Sequence, residues 1–208
     1  MTDTELAEYL SLSHELHGVE FKGPGPRTSD VLFAKVARAM LAMVNRREGG
    51  VVIIGVAEGP AHKPKLLGVD DGDLATWNFD DLAATLAPIA DPAIRFRVST
   101  PMHGGRYFVC IEVDAFDDVP VICQRRHPPS ARRGEPLVLR EGAIYVRSRG
   151  KPESVEIPSQ TEMRELLELA TERRMAALLG SVDRAGLTVA GGAEPRVAFD
   201  AELDPDFR

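Results

Sequence analysis

Apolar and polar positions along this chain repeat with two different periods, and the switches between them outline its elements. Leu6 and Leu10, with Ala7 beside them, form a short stripe that predicts a helix over residues 3–13. Val19-Glu20-Phe21-Lys22 alternates as a strand does and runs into Gly23-Pro24-Gly25-Pro26, which supports no regular structure. Ser29 is placed to cap a long helix reaching Glu48, with Phe33, Val36, Ala37, Met40, Leu41 and Val44 on one wide apolar face and Gly49-Gly50 as its stop. The stretch from Val51 to Val56 is apolar on both faces, the mark of a central buried strand. A further helix is predicted over 79–90, and strands near 94–99, 106–113, 120–125 and 143–148. Ser159-Gln160-Thr161-Glu162 has capping-box spacing and opens a helix with Met163, Leu166, Leu167 and Ala170 on one face.

The strands after residue 94 have no helices between them, so the expected fold class is α+β, a mixed and mostly antiparallel sheet with packed helices. One domain is expected over residues 1–158, a C-terminal helix over 159–179, and a flexible tail over 180–208, where the chain turns small, polar and acidic. With 208 residues, 44% of them hydrophobic and 27% charged, the chain can bury one good core. Its longest apolar run, Val51 to Ala57, falls far short of the roughly 20 residues a membrane helix needs. The acidic start, Met1 to Glu5, has no apolar stretch behind it, so no signal peptide and no membrane partner are expected and the compartment is read as cytoplasmic. Cys110 and Cys123 then read as free buried thiols rather than a bridge.

A net charge of -7 argues at first against nucleic acid, but its distribution reverses the argument locally. Between Pro120 and Lys151 stand Arg125, Arg126, Arg132, Arg133, Arg140, Arg147, Arg149 and Lys151, against Glu135 and Glu141 alone, a net +6. Screening limits the reach of distant charges to about 8 Å at physiological salt, so a local basic surface on an acidic protein still binds phosphates. A solvated loop with scattered arginines is the alternative. On the long helix Lys35, Arg38 and Arg46 fall within about 80° of one another, giving a second basic edge. Other signals are weaker. His14 and His17 have no third ligand at metal spacing, Gly23 to Pro26 lacks the ending of a phosphate loop, and no Ser, Cys and His pattern suggests a nucleophilic triad. Trp77 reads as core or rim, and Tyr145 as the better of the base-stacking candidates.

Three segments carry more specific chemistry: Glu15-Leu16-His17-Gly18-Val19-Glu20-Phe21-Lys22; Asn45 followed by Gly49-Gly50 and the apolar strand to Val56, ending in Ala57-Glu58-Gly59; and Glu141 to Gly150 around Tyr145-Val146-Arg147. Their order and spacing, over about residues 12–150, resemble the Schlafen/AlbA-like domain family. The resemblance implies a nucleic-acid-binding fold, and in one branch an endoribonuclease that cuts structured RNA such as tRNA with three carboxylates and a divalent metal. Glu15, Glu20 and Glu58 match those carboxylates, with Leu16 where the family often has Ser and Glu58 where it more usually has Asp. Chemically the set is apt. Magnesium or manganese takes oxygen ligands, activates water and neutralises charge on the phosphate, and Lys22, two residues on from Glu20, could reach the scissile phosphate. The bland alternative is that Glu20 and Lys22 pair with neighbouring charges and Glu58 only caps a turn. Three classes therefore stand open: a nucleic-acid-binding module for RNA or DNA, a Mg²⁺- or Mn²⁺-dependent nuclease, and a protein-interaction scaffold. The nuclease branch closes its groove with two related lobes, which makes a homodimer the expectation for this single lobe, with the C-terminal helix as a candidate interface.

Overall fold

A computed structural model describes residues 1–11, 18–59, 64–127, 138–148 and 153–186. Its elements run α1 (Asp3–Ser11), β1 (Val19–Lys22), α2 (Asp30–Val44), β2 (Gly50–Ile54), β3 (Val56–Glu58), β4 (Pro64–Leu66), α3 (Asp71–Leu74), α4 (Phe79–Leu86), β5 (Ala90–Asp91) and β6 (Phe96–Ser99), followed by β7 (Met102–His103), β8 (Arg106–Tyr107), β9 (Val109–Val113), β10 (Ile122–Cys123), β11 (Tyr145–Arg147), β12 (Ser154–Glu156) and α5 (Gln160–Arg184). The fold is α+β. Its centre is a four-stranded mixed sheet in the order β1-β2-β9-β6, with β1 parallel to β2 and the other neighbours antiparallel.

The two-sided apolar pattern of β2 follows from its central place. Val52 and Ile54 face α2 together with Ile111 and Val109 of β9, while Val51 and Ile53 face α1, packing with Leu6, Leu10, Phe108 and Cys110. Because β1 runs in register with β2, Glu20 lies level with Val52 and shares the α2 side of the sheet. Ser29 caps α2, its hydroxyl accepting from the Leu32 amide, as its position predicts. Ser159 likewise caps α5, accepting from the Glu162 amide.

Several boundaries differ from the pattern reading, each for a local reason. The apolar run after Gly50 is two strands, because Gly55 takes φ +111° and turns the chain from β2 into β3. Helix α2 ends at Val44, four residues before the expected stop, with Asn45 as its cap. The glycines serve the following turn instead. Gly49 sits at φ +68°, where a Cβ would lie 2.1 Å from the Val113 carbonyl oxygen, and a Cβ on Gly50 would lie 2.2 Å from the Met43 sulfur. Helix α5 runs to Arg184, so the first part of the expected tail is helical; residues 187–208 lie outside the described residues. Its buried side chains are Leu166 and Leu169, whereas Leu167, expected on the buried stripe, is 54% exposed. Among the described residues no helix is long and apolar enough to cross a membrane.

Candidate functional site

The sequence motifs meet where β1, the end of α2 and the β11–β12 hairpin come together. Glu20 is buried on β1, and three donors converge on its carboxylate. Arg147 of β11 approaches Oε2 at 2.5 Å through Nη1, the Ser154 hydroxyl of β12 donates to the same oxygen, and the Lys22 ammonium donates to Oε1. Arg147 also donates through Nη2 to the Val19 carbonyl at 3.0 Å. The Glu20 and Arg147 side chains are 6% and 2% exposed, so this is an ion pair of the interior. β11 and β12 pair antiparallel with Arg147 opposite Ser154, which presents both groups to one carboxylate.

Asn45 forms a second tie beside the first. Buried at the end of α2, it donates through Nδ2 to the Val121 and Tyr145 carbonyls at 2.9 and 3.0 Å, and accepts from the Val121 amide at 2.8 Å. One side chain thus fastens α2 both to β11 and to the segment leading into β10. Arg46 follows, its guanidinium against Gly18 and donating to the Gly49 carbonyl. Burial lowers the Arg46 pKa from its usual value, with Arg147 adding to the shift and Glu48 opposing it; an arginine so placed still carries its charge.

The expected carboxylate set is only partly in view. Glu58 is exposed at the end of β3, and Glu15, like His14 and His17, lies outside the described residues. Among the described residues no group of three His, Cys, Asp or Glu side chains is placed to hold a metal ion. A Mg²⁺ or Mn²⁺ ion at Glu20 would have to displace Arg147 and Lys22 from the carboxylate, so the described donors do not fit a resident divalent cation. Lys22, expected to reach toward a phosphate, is turned onto Glu20 instead.

The expected basic surface divides similarly. Arg125 and Arg126 are exposed, and Lys35 is exposed on α2. Arg147, expected among the phosphate contacts, points inward. It shares a strand face with Tyr145, and that ring is buried too, its hydroxyl accepting from the Arg140 amide at 2.8 Å. Tyr145 therefore offers no face for base stacking. The basic edge of α2 does not form as a row, because Arg46 leaves the helical phase after Val44 and Arg38 is half-buried, its Nε without a hydrogen-bond partner. Arg132, Arg133, Arg149 and Lys151 lie outside the described residues. Sequence reasoning missed Ser154, which sits in a strand of three residues, and His127. The latter lies 3.7 Å from the Asp30 carboxylate, with its ring edge-on to Phe33.

The base of the basic segment is firmly held. The Cys123 amide donates to the Ala143 carbonyl at 2.9 Å, the Gly142 amide to the Cys123 carbonyl at 2.7 Å, and Gln124 to the Ile89 carbonyl at 2.7 Å. His127 and Leu139 exchange backbone hydrogen bonds at 3.1 and 3.0 Å. Arg125 and Arg126 are thus presented from a pinned backbone.

No protein-family model and no curated protein matches the chain. Solved structures similar to it include the crystal structure of the DIP2311 protein from Corynebacterium diphtheriae, at 15% identity and a TM-score of 0.47, over 74% of this chain and 26% of that one. Another is the solution structure of the N-terminal domain of a putative ATP-dependent DNA helicase RecG-related protein from Nitrosomonas europaea, at 21% identity and a TM-score of 0.45, over 68% of this chain and 88% of that one. The chain spans about a quarter of the length of the first of these proteins.

Proposed function

We propose that this chain is a nucleic-acid-binding module that grips the phosphate backbone through the basic surface around Arg125 and Arg126. The observation that carries the reading is the exposure of these two arginines on a pinned backbone. They lie within a stretch of formal charge +6 in a chain of net charge -7. Contacts of this kind confer affinity without sequence choice and weaken steeply with salt. The resemblance of the Glu20, Asn45 and Arg147 segments to the Schlafen/AlbA-like family supports the same class.

The test is binding of the full chain to a labelled structured RNA and a DNA duplex, followed by anisotropy through a salt series. Arg125→Glu with Arg126→Glu should weaken binding to both and lower the salt slope by roughly 2, about one for each phosphate no longer neutralised. Binding that the substitution leaves unchanged, or no binding at low salt, overturns the reading and leaves the scaffold class standing. Manganese and chelator arms in the same tubes test the endoribonuclease reading. There the informative variant is Glu58→Gln, because Glu20 also holds the fold together. Cleavage that requires metal and is lost in Glu58→Gln would establish an enzyme.

A further inference from the structure

His127 follows directly on the exposed Arg125 and Arg126, yet its imidazole turns inward. The ring lies edge-on to Phe33 of α2, with 5.2 Å between ring centroids. Its Nε2 is buried without a hydrogen-bond partner, 3.7 Å from the Asp30 carboxylate. That gap is too long for a hydrogen bond. Buried polar atoms are normally paired, so an orphaned nitrogen beside a carboxylate calls for a physical reason. The Asp30 side chain is 61% exposed in the first turn of α2 and has room to close the distance. The other charges around the ring are turned elsewhere. Arg140, next to the bridge partner Leu139, is bound to Glu156 at 2.8 Å, Lys35 is exposed on α2, and Arg38, two turns on from Asp30, acts on Tyr145. Burial disfavours the imidazolium and Asp30 favours it, burial being the stronger, so the ring is neutral in the free protein at neutral pH.

We propose that His127 is the third cation of this surface, neutral in the free protein and protonated when a phosphate backbone lies across Arg125 and Arg126. The inference rests on the reading of those two arginines as phosphate contacts. Consecutive Cα atoms are about 3.8 Å apart, so a phosphate gripped by either arginine stands on the order of 10 Å from the ring, about one screening length. On its buried side the ring has no water to screen it, and the field of a polyanion reaches it. Asp30 supplies the second part. Left unneutralised, its exposed carboxylate repels a phosphate backbone arriving beside it. A proton on Nε2 completes an ion pair with Asp30 and takes the formal charge of Arg125, Arg126, His127 and Asp30 together from +1 to +2. A bound polyanion therefore favours the proton, and by reciprocity the protonated chain binds the polyanion more tightly.

Anisotropy of a labelled DNA duplex with the full chain, at constant salt from about pH 8 to about pH 5.5, tests the proposal. Fluorescence of buried Trp77 reports an intact domain at each pH. Affinity should rise about threefold to tenfold as pH falls, tenfold being what a rise of one in the imidazole pKa on binding supplies. His127→Gln should make the affinity independent of pH over this range. Proton NMR of the wild-type chain gives a second readout that needs no variant to fold. The imidazole resonance in contact with the Phe33 ring should titrate at higher pH in the complex than in the free chain. An affinity that is flat with pH, or an imidazole that titrates at the same pH in both states, overturns the inference. So does a pH dependence that survives in His127→Gln, which another of the five histidines would then carry. Each of these results leaves the phosphate contacts of Arg125 and Arg126 standing, whereas absence of binding at every pH removes both readings.

Discussion

Removing either partner of the Glu20–Arg147 pair should destabilise the fold far more than a surface ion pair would. With 6% and 2% of the two side chains exposed, deleting one leaves a buried charge whose solvation was surrendered on folding. Breaking such a pair costs about 3–5 kcal/mol. Arg147→Met should fall near the lower end, about 3 kcal/mol, because Lys22 and Ser154 still reach the Glu20 carboxylate. Glu20→Gln should cost a comparable amount, since the buried Arg147 guanidinium then loses the charge of its 2.5 Å carboxylate partner. For a chain of this length 1 kcal/mol moves Tm by about 2–4 °C, so each single variant should melt about 6–12 °C low. Replacing both, as Glu20→Leu with Arg147→Met, should cost less than the sum of the two by about 2 kcal/mol or more, because neither charge is then stranded. Urea unfolding followed by Trp77 fluorescence supplies all four corners of the cycle, Trp77 being the only tryptophan and 1% exposed. Single losses under about 1 kcal/mol, or strict additivity, would refute the reasoning. So would stabilisation by Glu20→Gln, the outcome expected if Glu20 stood in a cluster of repelling carboxylates.

Three further outcomes follow from local geometry. Gly142→Ala should cost only the strain of its φ of +80°, about 1–2 kcal/mol, since a Cβ there meets nothing within 4 Å. Gly49→Ala should cost clearly more, because its Cβ collides with the Val113 carbonyl, and equal losses in urea unfolding would refute the close approach. Burial pushes the Cys110 thiol up to about 12, so the native protein at pH 8 should not react there with a disulfide reagent until it is unfolded. Prompt reaction of two thiols would contradict this. Burial lowers the His127 pKa from 6.5, with Asp30 opposing, so the unfolded chain binds more protons than the folded one just below that value. Stability that is complete above about pH 6.5 should therefore decline as pH falls through and below it. His127→Gln should flatten that decline, and a decline steeper in the variant would mean that the Asp30 attraction dominates.

What the sequence disclosed and what it hid divide along the range of the interactions. The caps at Ser29 and Ser159, the apolar face of α2 and the two-sided β2 were all legible, because each is written in residues a few positions apart. The inward turn of Arg147 was not, because its partner Glu20 stands 127 positions away and arginine alone reads as surface. One local sign existed. In a strand Tyr145 and Arg147 share a face, so a buried Tyr145 carries Arg147 inward with it. The hairpin partner β12 offered less, with only Val155 apolar in three residues. The early end of α2 was masked by continued helix-forming residues, and only the three hydrogen bonds of Asn45 to remote backbone explain it.

These long-range ties bear on how the motif itself is understood. Glu20, Asn45, Gly49, Gly50 and Arg147 carried the family resemblance, and in the structure they are one connected brace. Glu20 joins β1 to the β11–β12 hairpin, Asn45 joins α2 to β11, and the two glycines let the turn after α2 lie against the Val113 backbone, the Met43 side chain and Gly18. In this chain the brace holds the fold together whichever activity the surface carries. The presence of the motif therefore does not separate the two activities, and loss of cleavage or binding in a Glu20 variant would be read equally well as loss of the fold. Glu58 stands outside the brace, exposed on β3. A change there alters the chemistry on offer while leaving the Glu20 and Asn45 ties in place. Variants at Glu58 and at the exposed Arg125 and Arg126, rather than at the buried pair, are therefore the ones that test the nuclease, binding-module and scaffold readings without disturbing the brace.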